Sequence, residues 1–163
     1  MRSFDLRMEL DSSHYMLDPK IFWDIVNKFG FPNLDLFARN VTAQCKRFVS
    51  WFPTPNCVPV DAFSFVWRDN FYAFPPFALI SRVLKKIKLD KFQGIVVVPK
   101  WPGQPWFPDF LSMIVSSVQE YGPSYDLLSF SYSSRLHPMN NTLVLMAATL
   151  SGNLWIKWNW QPL

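Results

Sequence analysis

The run Gly94-Ile-Val-Val-Val98-Pro99 puts four apolar β-branched side chains on successive positions. Successive residues of a strand point to opposite faces, so this run needs apolar cover on both sides. It restricts the chain to folds in which a sheet lies enclosed by other elements. With 163 residues, half of them hydrophobic and 18% aromatic, the chain can build such an enclosed core within one domain. That composition excludes a disordered tail.

Around this strand, helix and strand signals alternate. Asp18-Pro19 opens a helix as N-cap and first helical residue, Ile21, Phe22, Ile25, Val26 and Phe29 recur at helical spacing, and Gly30 supplies the stop. Asn33 to Phe37 reads as a strand, and a short one is expected from Phe48 to Trp51. The prolines of Pro53 to Pro59 demand a loop. Asn70 to Phe74 is a strand ending on Pro75-Pro76. Phe77 to Leu89 is amphipathic, with Leu79, Ile80, Val83, Leu84 and Ile87 inward and Arg82, Lys85, Lys86 and Lys88 outward. A helix is expected from Trp106 or Pro108 to Val118. Strands are expected at Tyr125 to Phe130, Leu143 to Leu150 and Asn153 to Trp160. This order argues for an α/β sandwich around a mainly parallel central sheet with helices on both faces. Residues 1–17 read as an extension or linker and 18–163 as the domain.

Several functional classes are excluded. There is no nucleophile elbow, no Walker loop, no Gly-x-Gly-x-x-Gly and no His-Glu-x-x-His. His14 and His137 are far apart, which disfavours a histidine-based triad, and His137-Pro138 reads as a surface loop. Cys45 and Cys57 lack metal-ligand spacing and read as a reduced pair; no metal is expected. The opening Met1 to Asp11 is mixed and polar, unlike a leader, and Leu143 to Leu150 is too short to cross a bilayer. An intracellular protein, cytoplasmic or nuclear, is the expectation, and Asn40-Val-Thr and Asn140-Asn-Thr are then chance matches to a glycosylation acceptor. The net charge of +4 is compatible with a nucleic-acid partner.

The tetrapeptide Phe74-Pro75-Pro76-Phe77 is the strongest candidate for a site. Two prolines fix φ and remove two donors, which makes a rigid ledge where a strand meets a helix. In open α/β sheets ligands bind outside the carboxyl ends of strands. An aromatic directly after such a ledge is placed to stack on a planar ligand. Asp35, at the end of its strand, and Asp61, after the Pro-rich loop, are the carboxylates nearest such an edge in the reading; Asp69 also stands out. The same residues are open to a plainer reading, with Phe74 and Phe77 as core aromatics and Asp35 and Asp61 as helix caps.

Asp35-Leu-Phe-Ala38, Asn40, Cys45-Lys46, Phe48, Asp61-Ala-Phe63, Trp67 and the Pro-Pro-aromatic ledge resemble, in order and spacing, the phage-type Dam DNA adenine-N6 methyltransferases. Val96 to Pro99 with Trp106-Phe107 resembles that family's next strand and its aromatic pair. The chain is still more similar to the Dam-like domain of DIRS-type tyrosine-recombinase retrotransposon polyproteins. The residues that carry this are Asp35 to Ala38, Arg47 to Trp51, Val60 to Ser64, Tyr72 to Phe77 and Trp101 to Trp106.

The resemblance implies a Rossmann-like methyltransferase fold, with Asp35, Ala38, Asn40 and Asp61 toward S-adenosylmethionine and Phe74 to Phe77 as the catalytic motif. In the active family an Asn or Asp oxygen at the first motif position, with the first Pro carbonyl, accepts the hydrogens of the adenine amine, and the final aromatic stacks on the flipped base. Here the first position is Phe74, which accepts no hydrogen bond, while Pro75, Pro76 and Phe77 retain the rest. Losing one such preorganised acceptor costs on the order of a hundred- to a thousand-fold in rate. Ala38-Arg39-Asn40 also stands where many methyltransferases have a Gly-rich turn. The resemblance therefore implies a domain degenerate at its catalytic position and retained for binding. Lys46, Arg47, Arg82, Lys85, Lys86 and Lys88 would face nucleic acid, with Trp51, Trp101 and Trp106 for stacking. Two alternatives follow from the same comparison. One is an active S-adenosylmethionine-dependent DNA adenine-N6 methyltransferase. The other is a spacer packed on the reverse transcriptase, RNase H or recombinase domains of the same polyprotein.

Overall fold

The computed structural model describes residues 15–38, 48–50, 63, 66–68, 70–130 and 136–153. Their elements run β1 (Tyr15–Leu17), α1 (Pro19–Phe29), β2 (Leu34–Ala38), β3 (Phe48–Ser50) and β4 (Phe71–Ala73). A 3-10 turn (Phe77–Leu79) then leads into α2 (Ile80–Asp90), β5 (Gln93–Pro99) and α3 (Phe107–Ser112). Strands β6 (Gln119–Tyr121), β7 (Leu128–Phe130) and β8 (Leu145–Ser151) follow.

Local chemistry explains the two longer helices. Asp18 caps α1, its Oδ1 accepting the Lys20 amide at 3.0 Å, and Pro19 needs no partner at the first position. Gly30, at φ 100°, ends it and donates its N–H to the Val26 carbonyl. Phe22, Ile25 and Val26 form the buried stripe. On α2 the stripe is Ile80, Val83, Leu84 and Ile87.

Six strands form one sheet in the order β3-β2-β4-β5-β8-β6. Strands β3, β2, β4 and β5 are parallel neighbours, while β8 runs antiparallel to both β5 and β6. The expectation of a mainly parallel sheet is thus corrected to a mixed one. The longest ladder, seven residue pairs from Gln93↔Ser151 to Pro99↔Leu145, is antiparallel. An unbroken apolar run reports cover on both faces, as β5 has from Gly94 to Pro99, but carries no sign of its neighbour's direction. The architecture is mixed α/β with three α-helices among the described residues.

Rings join the layers. Phe22 of α1 meets Tyr72 of β4 edge-on at 5.1 Å. The neighbouring Phe71 turns to Trp67 at 5.3 Å, and Trp67 donates its backbone N–H to Asp90 at the end of α2 (2.8 Å). Phe71 also lies over Gly94 of the next strand, where a Cβ would come within 2.5 Å of its ring. Glycine interrupts the apolar run because that ring needs the space.

Three further expectations change. The helix expected to reach Val118 stops at Ser112, because Ile114 bridges Leu150 and the Val115 amide donates to the Thr149 carbonyl at 2.9 Å. β-branched residues lose rotamer freedom in a helix, so an offered strand edge wins. The strand expected from Tyr125 shrinks to Leu128–Phe130 and leaves the main sheet to pair with β1. Tyr15–Leu17, read as extension, is therefore part of the folded body, with Leu17 buried. β6 was not foreseen; its three residues Gln-Glu-Tyr carry no alternating pattern. The strand expected from Asn153 to Trp160 lies, beyond Asn153, outside the described residues.

His137, expected on the surface, is buried. Its Nδ1 accepts the Met139 amide at 3.1 Å, and its own amide donates to the Leu128 carbonyl. Asn140 beside it is buried too. Its Oδ1 accepts the Leu128 amide at 3.1 Å and its Nδ2 donates to the carbonyls of Tyr125 (2.7 Å) and Leu128 (2.8 Å). An amide so engaged is part of the fold and offers no acceptor nitrogen for a glycan.

Candidate functional site

From β2 the chain pairs β3 on one side and then returns to set β4 on the other. The strand order reverses there, and such a reversal opens a crevice at the carboxyl ends of the two strands. Phe74-Pro75-Pro76-Phe77 leaves β4 at that end. Phe74 is half-buried, and both prolines and Phe77 are buried. Pro76 is extended at φ −52° and ψ 141°, and its carbonyl accepts the Leu79 amide at 2.9 Å, which starts the turn into α2. The ledge is as rigid as two adjacent prolines imply.

The floor of this end is aromatic. Phe77 meets Trp101, beyond the end of β5, at 5.0 Å with planes 75° apart. Phe37, near the end of β2, meets Phe63 at 5.7 Å and Trp67 at 6.1 Å. Arg82, in the first turn of α2, lays its guanidinium over Phe63 at 4.1 Å from the ring centre. That cation–π contact holds one positive charge beside the reversal point.

The residues expected at the site are brought together only in part. Asp35 is not at the end of its strand. It is the second residue of β2, paired with Tyr72, buried, and its Oδ1 accepts the Phe37 amide at 3.3 Å. Ala38 closes β2 and pairs with Ser50. Asn40, Asp61, Lys46, Arg47, Trp51, Asp69, Cys45 and Cys57 lie outside the described residues. Of the S-adenosylmethionine set, the structure therefore describes only Asp35 and the backbone of Ala38.

The basic face of α2 is less free than its sequence suggests. Lys86 pairs with Asp90 at 3.1 Å, both largely buried, and Lys88 pairs with Asp109 at 3.3 Å. Arg82 and Lys85 are exposed. Trp106, expected to stack on nucleic acid, is buried and packs on Phe107 at 5.8 Å, so it presents no free face. Sequence reasoning missed two contacts, Phe77 with Trp101 and Arg82 with Phe63. Each joins residues about twenty apart in the chain, beyond the reach of any local pattern.

Elsewhere, α1 is tied to β6 by hydrogen bonds that converge on Asp24. The Tyr121 hydroxyl donates to Asp24 at 2.6 Å, and Lys28 donates to Asp24 at 2.9 Å and to Gln119 at 3.2 Å. The Tyr121 hydroxyl and then Lys28 hold the Asp24 carboxyl below its usual range. Burial, followed by the bond to Asp24, pushes the Tyr121 phenol well above its own. A cleft of about 90 Å³ lies at the opposite, amino ends of the strands, lined by Phe31, Pro32, Asn70 and Gln93. It is well below the several hundred Å³ of an ordinary ligand pocket.

Among the described residues no three His, Cys, Asp or Glu side chains converge on a metal position, and no helix is long and apolar enough to cross a membrane. Compared with known proteins, the chain matches no family model, and no curated protein matches it.

Proposed function

We propose that this chain is a methyltransferase-like domain with a Rossmann-like core, of the kind carried by retroelement polyproteins, retained for nucleic-acid binding and without efficient methyl transfer. One observation carries the reading: the Phe74–Phe77 ledge stands at the carboxyl end of β4, beside β2, where the strand order reverses. A planar base is the ligand such a ledge suits, because its walls are rings and its backbone is fixed by proline. The missing polar group at Phe74 argues against turnover, since no side-chain oxygen there can accept the hydrogens of an amine. Phe22 of α1 packs on Tyr72, and Trp67, whose amide donates to Asp90 of α2, packs on Phe71, which supports cover on both sides of β4.

For nucleic acid the reading rests on Arg82 and Lys85, two exposed cations of α2; the third, Lys88, is paired with Asp109. The test is DNA binding measured against salt, together with transfer of a labelled methyl group from S-adenosylmethionine. Binding that weakens with salt, and weakens uniformly across sequences in Lys85→Ala, with no methyl transfer, is the expected result. Transfer of label to adenine would replace it with the active enzyme. Binding indifferent to salt and to Lys85→Ala would end it.

A further inference from the structure

The amino ends of β4 and β5, opposite the ledge, carry residues that the proposed function does not use. Trp23 of α1 and Phe31, just past its end, are 54% and 56% exposed, and their rings meet at 5.8 Å. Two exposed rings in contact form a patch, which singly scattered apolar residues do not. Phe31 also lines the cleft of about 90 Å³, together with Asn70 and Gln93. Asn70 is held in left-handed backbone at φ 68°: its N–H donates to the Gln93 carbonyl at 3.0 Å, and its carbonyl accepts the Asn33 amide at 2.8 Å. An exposed carboxamide is thus fixed beside an exposed ring.

Cations stand next to this cleft. Arg68, two residues before Asn70, lies over Phe92 at 5.9 Å from the ring centre, and Phe92 adjoins Gln93. Lys91 follows the last residue of α2, and both cations are exposed. The carboxylate between them and the helix, Asp90, is already engaged by Lys86 at 3.1 Å and by the Trp67 amide at 2.8 Å.

We propose that this end of the sheet binds single-stranded nucleic acid. One unpaired base stacks against Phe31 and Trp23 with its edge in the cleft at Asn70 and Gln93, and flanking phosphates meet Arg68 and Lys91. Rings that track a basic surface take unpaired bases, whose faces a duplex hides. Carboxamides both donate and accept hydrogen bonds, as base edges do. An acidic peptide would account for the cations alone. The small volume suffices, because a strand bound along a surface needs only a notch for one ring while its sugar and phosphates stay in solvent. The partner is of the same class as in the proposed function, but the site is a different one, independent of the ledge and of α2's outer face.

The test is fluorescence anisotropy of a labelled short oligothymidylate and of a hairpin duplex, titrated with the whole chain at several salt concentrations. The single strand should bind more tightly than the hairpin, and Phe31→Ala should weaken it about tenfold. Arg68→Gln and Lys91→Gln should each lower the slope of log affinity against log salt by about 0.7. Weakening in Lys85→Ala with none in Phe31→Ala overturns the inference and leaves the α2 reading standing. Weakening in Phe31→Ala with none in Lys85→Ala keeps the inference and counts against α2. Polyglutamate bound as tightly as the oligonucleotide, with the same loss in Phe31→Ala, would assign the surface to acidic peptide and overturn it. A cooperative thermal transition shows that Phe31→Ala is folded; should it not be, Trp23→Ala takes its place. A hairpin bound by wild type as tightly as the single strand overturns the inference without any variant.

Discussion

The corner at Asn140 and the ledge at Pro75-Pro76 are both buried stretches of irregular backbone, and they treat polarity in opposite ways. At the corner, Asn140 and His137 each bring a polar side chain inside, and Asn140 spends its oxygen and nitrogen on the backbone of Tyr125 and Leu128. At the ledge, prolines remove the donors and Phe74 replaces any polar side chain. Burying an amide is tolerable when each of its groups is paired. The corner keeps polarity because it holds β7 in place. The ledge carries none and is held by its prolines and rings.

The contrast can be broken most directly at the corner. Asn140→Leu leaves the buried Leu128 amide without its acceptor, and should destabilise the domain by about 3 kcal/mol. Thermal unfolding would show this as a fall of roughly 6–12 °C. A fall within ~1 kcal/mol would mean that the corner does not depend on its polar groups.

A smaller effect is expected where a polar contact is half in solvent. Tyr121→Phe should cost about 1 kcal/mol, below the ~1.5–3 kcal/mol of a bond to a charged group, because the Asp24 side chain is 42% exposed and partly screened. The pH dependence has a definite sign on each side. Asp24 has a lowered pKa in the fold, so its contribution is present above the unfolded value near 3.8 and is lost as pH falls below it. Tyr121 has a raised one, so its contribution is present below the ordinary value of 10.0 and is lost as pH rises above it. Denaturant midpoints between pH 3 and 11 should therefore have shallower flanks in Tyr121→Phe than in wild type.

At the ledge the opposite substitution should cost less than at the corner. Phe74→Asn removes a half-buried ring packed against the core and should cost about 1 kcal/mol, against the larger loss at Asn140. An equal loss would show that the ring of Phe74 is core and that the ledge is only a connection. The smallest effect belongs to Lys88→Ala, which breaks an exposed pair with Asp109 and should stay within about 0.5 kcal/mol in a chemical denaturation series.

Much of the fold was legible residue by residue. Asp18-Pro19 and Gly30 bracket α1 because caps act through their own backbone, and α2 follows from its apolar spacing. The β5 strand follows from its unbroken β-branched run. What was illegible had no local cause. Ile114 and Val115 left the expected helix because β8 offered them an edge, and Asp35 is the second residue of β2 because that strand runs on to Ala38. At the site, the prolines and their rings could be read directly. Trp106 could not be told from an exposed stacker until packing buried it on Phe107.

The sequence by itself determined that a sheet would be covered on both faces, that two prolines would end a strand rigidly, and that the ledge would lack a side-chain acceptor. These depend on side-chain chemistry and on φ, which each residue carries with it. Only the tertiary structure decided that β8 would lie antiparallel beside β5, that the ledge would stand where the strand order reverses, and that Trp101 would cover Phe77. Those depend on which distant segments meet, and contact between residues far apart in the chain leaves no period in the sequence for either partner.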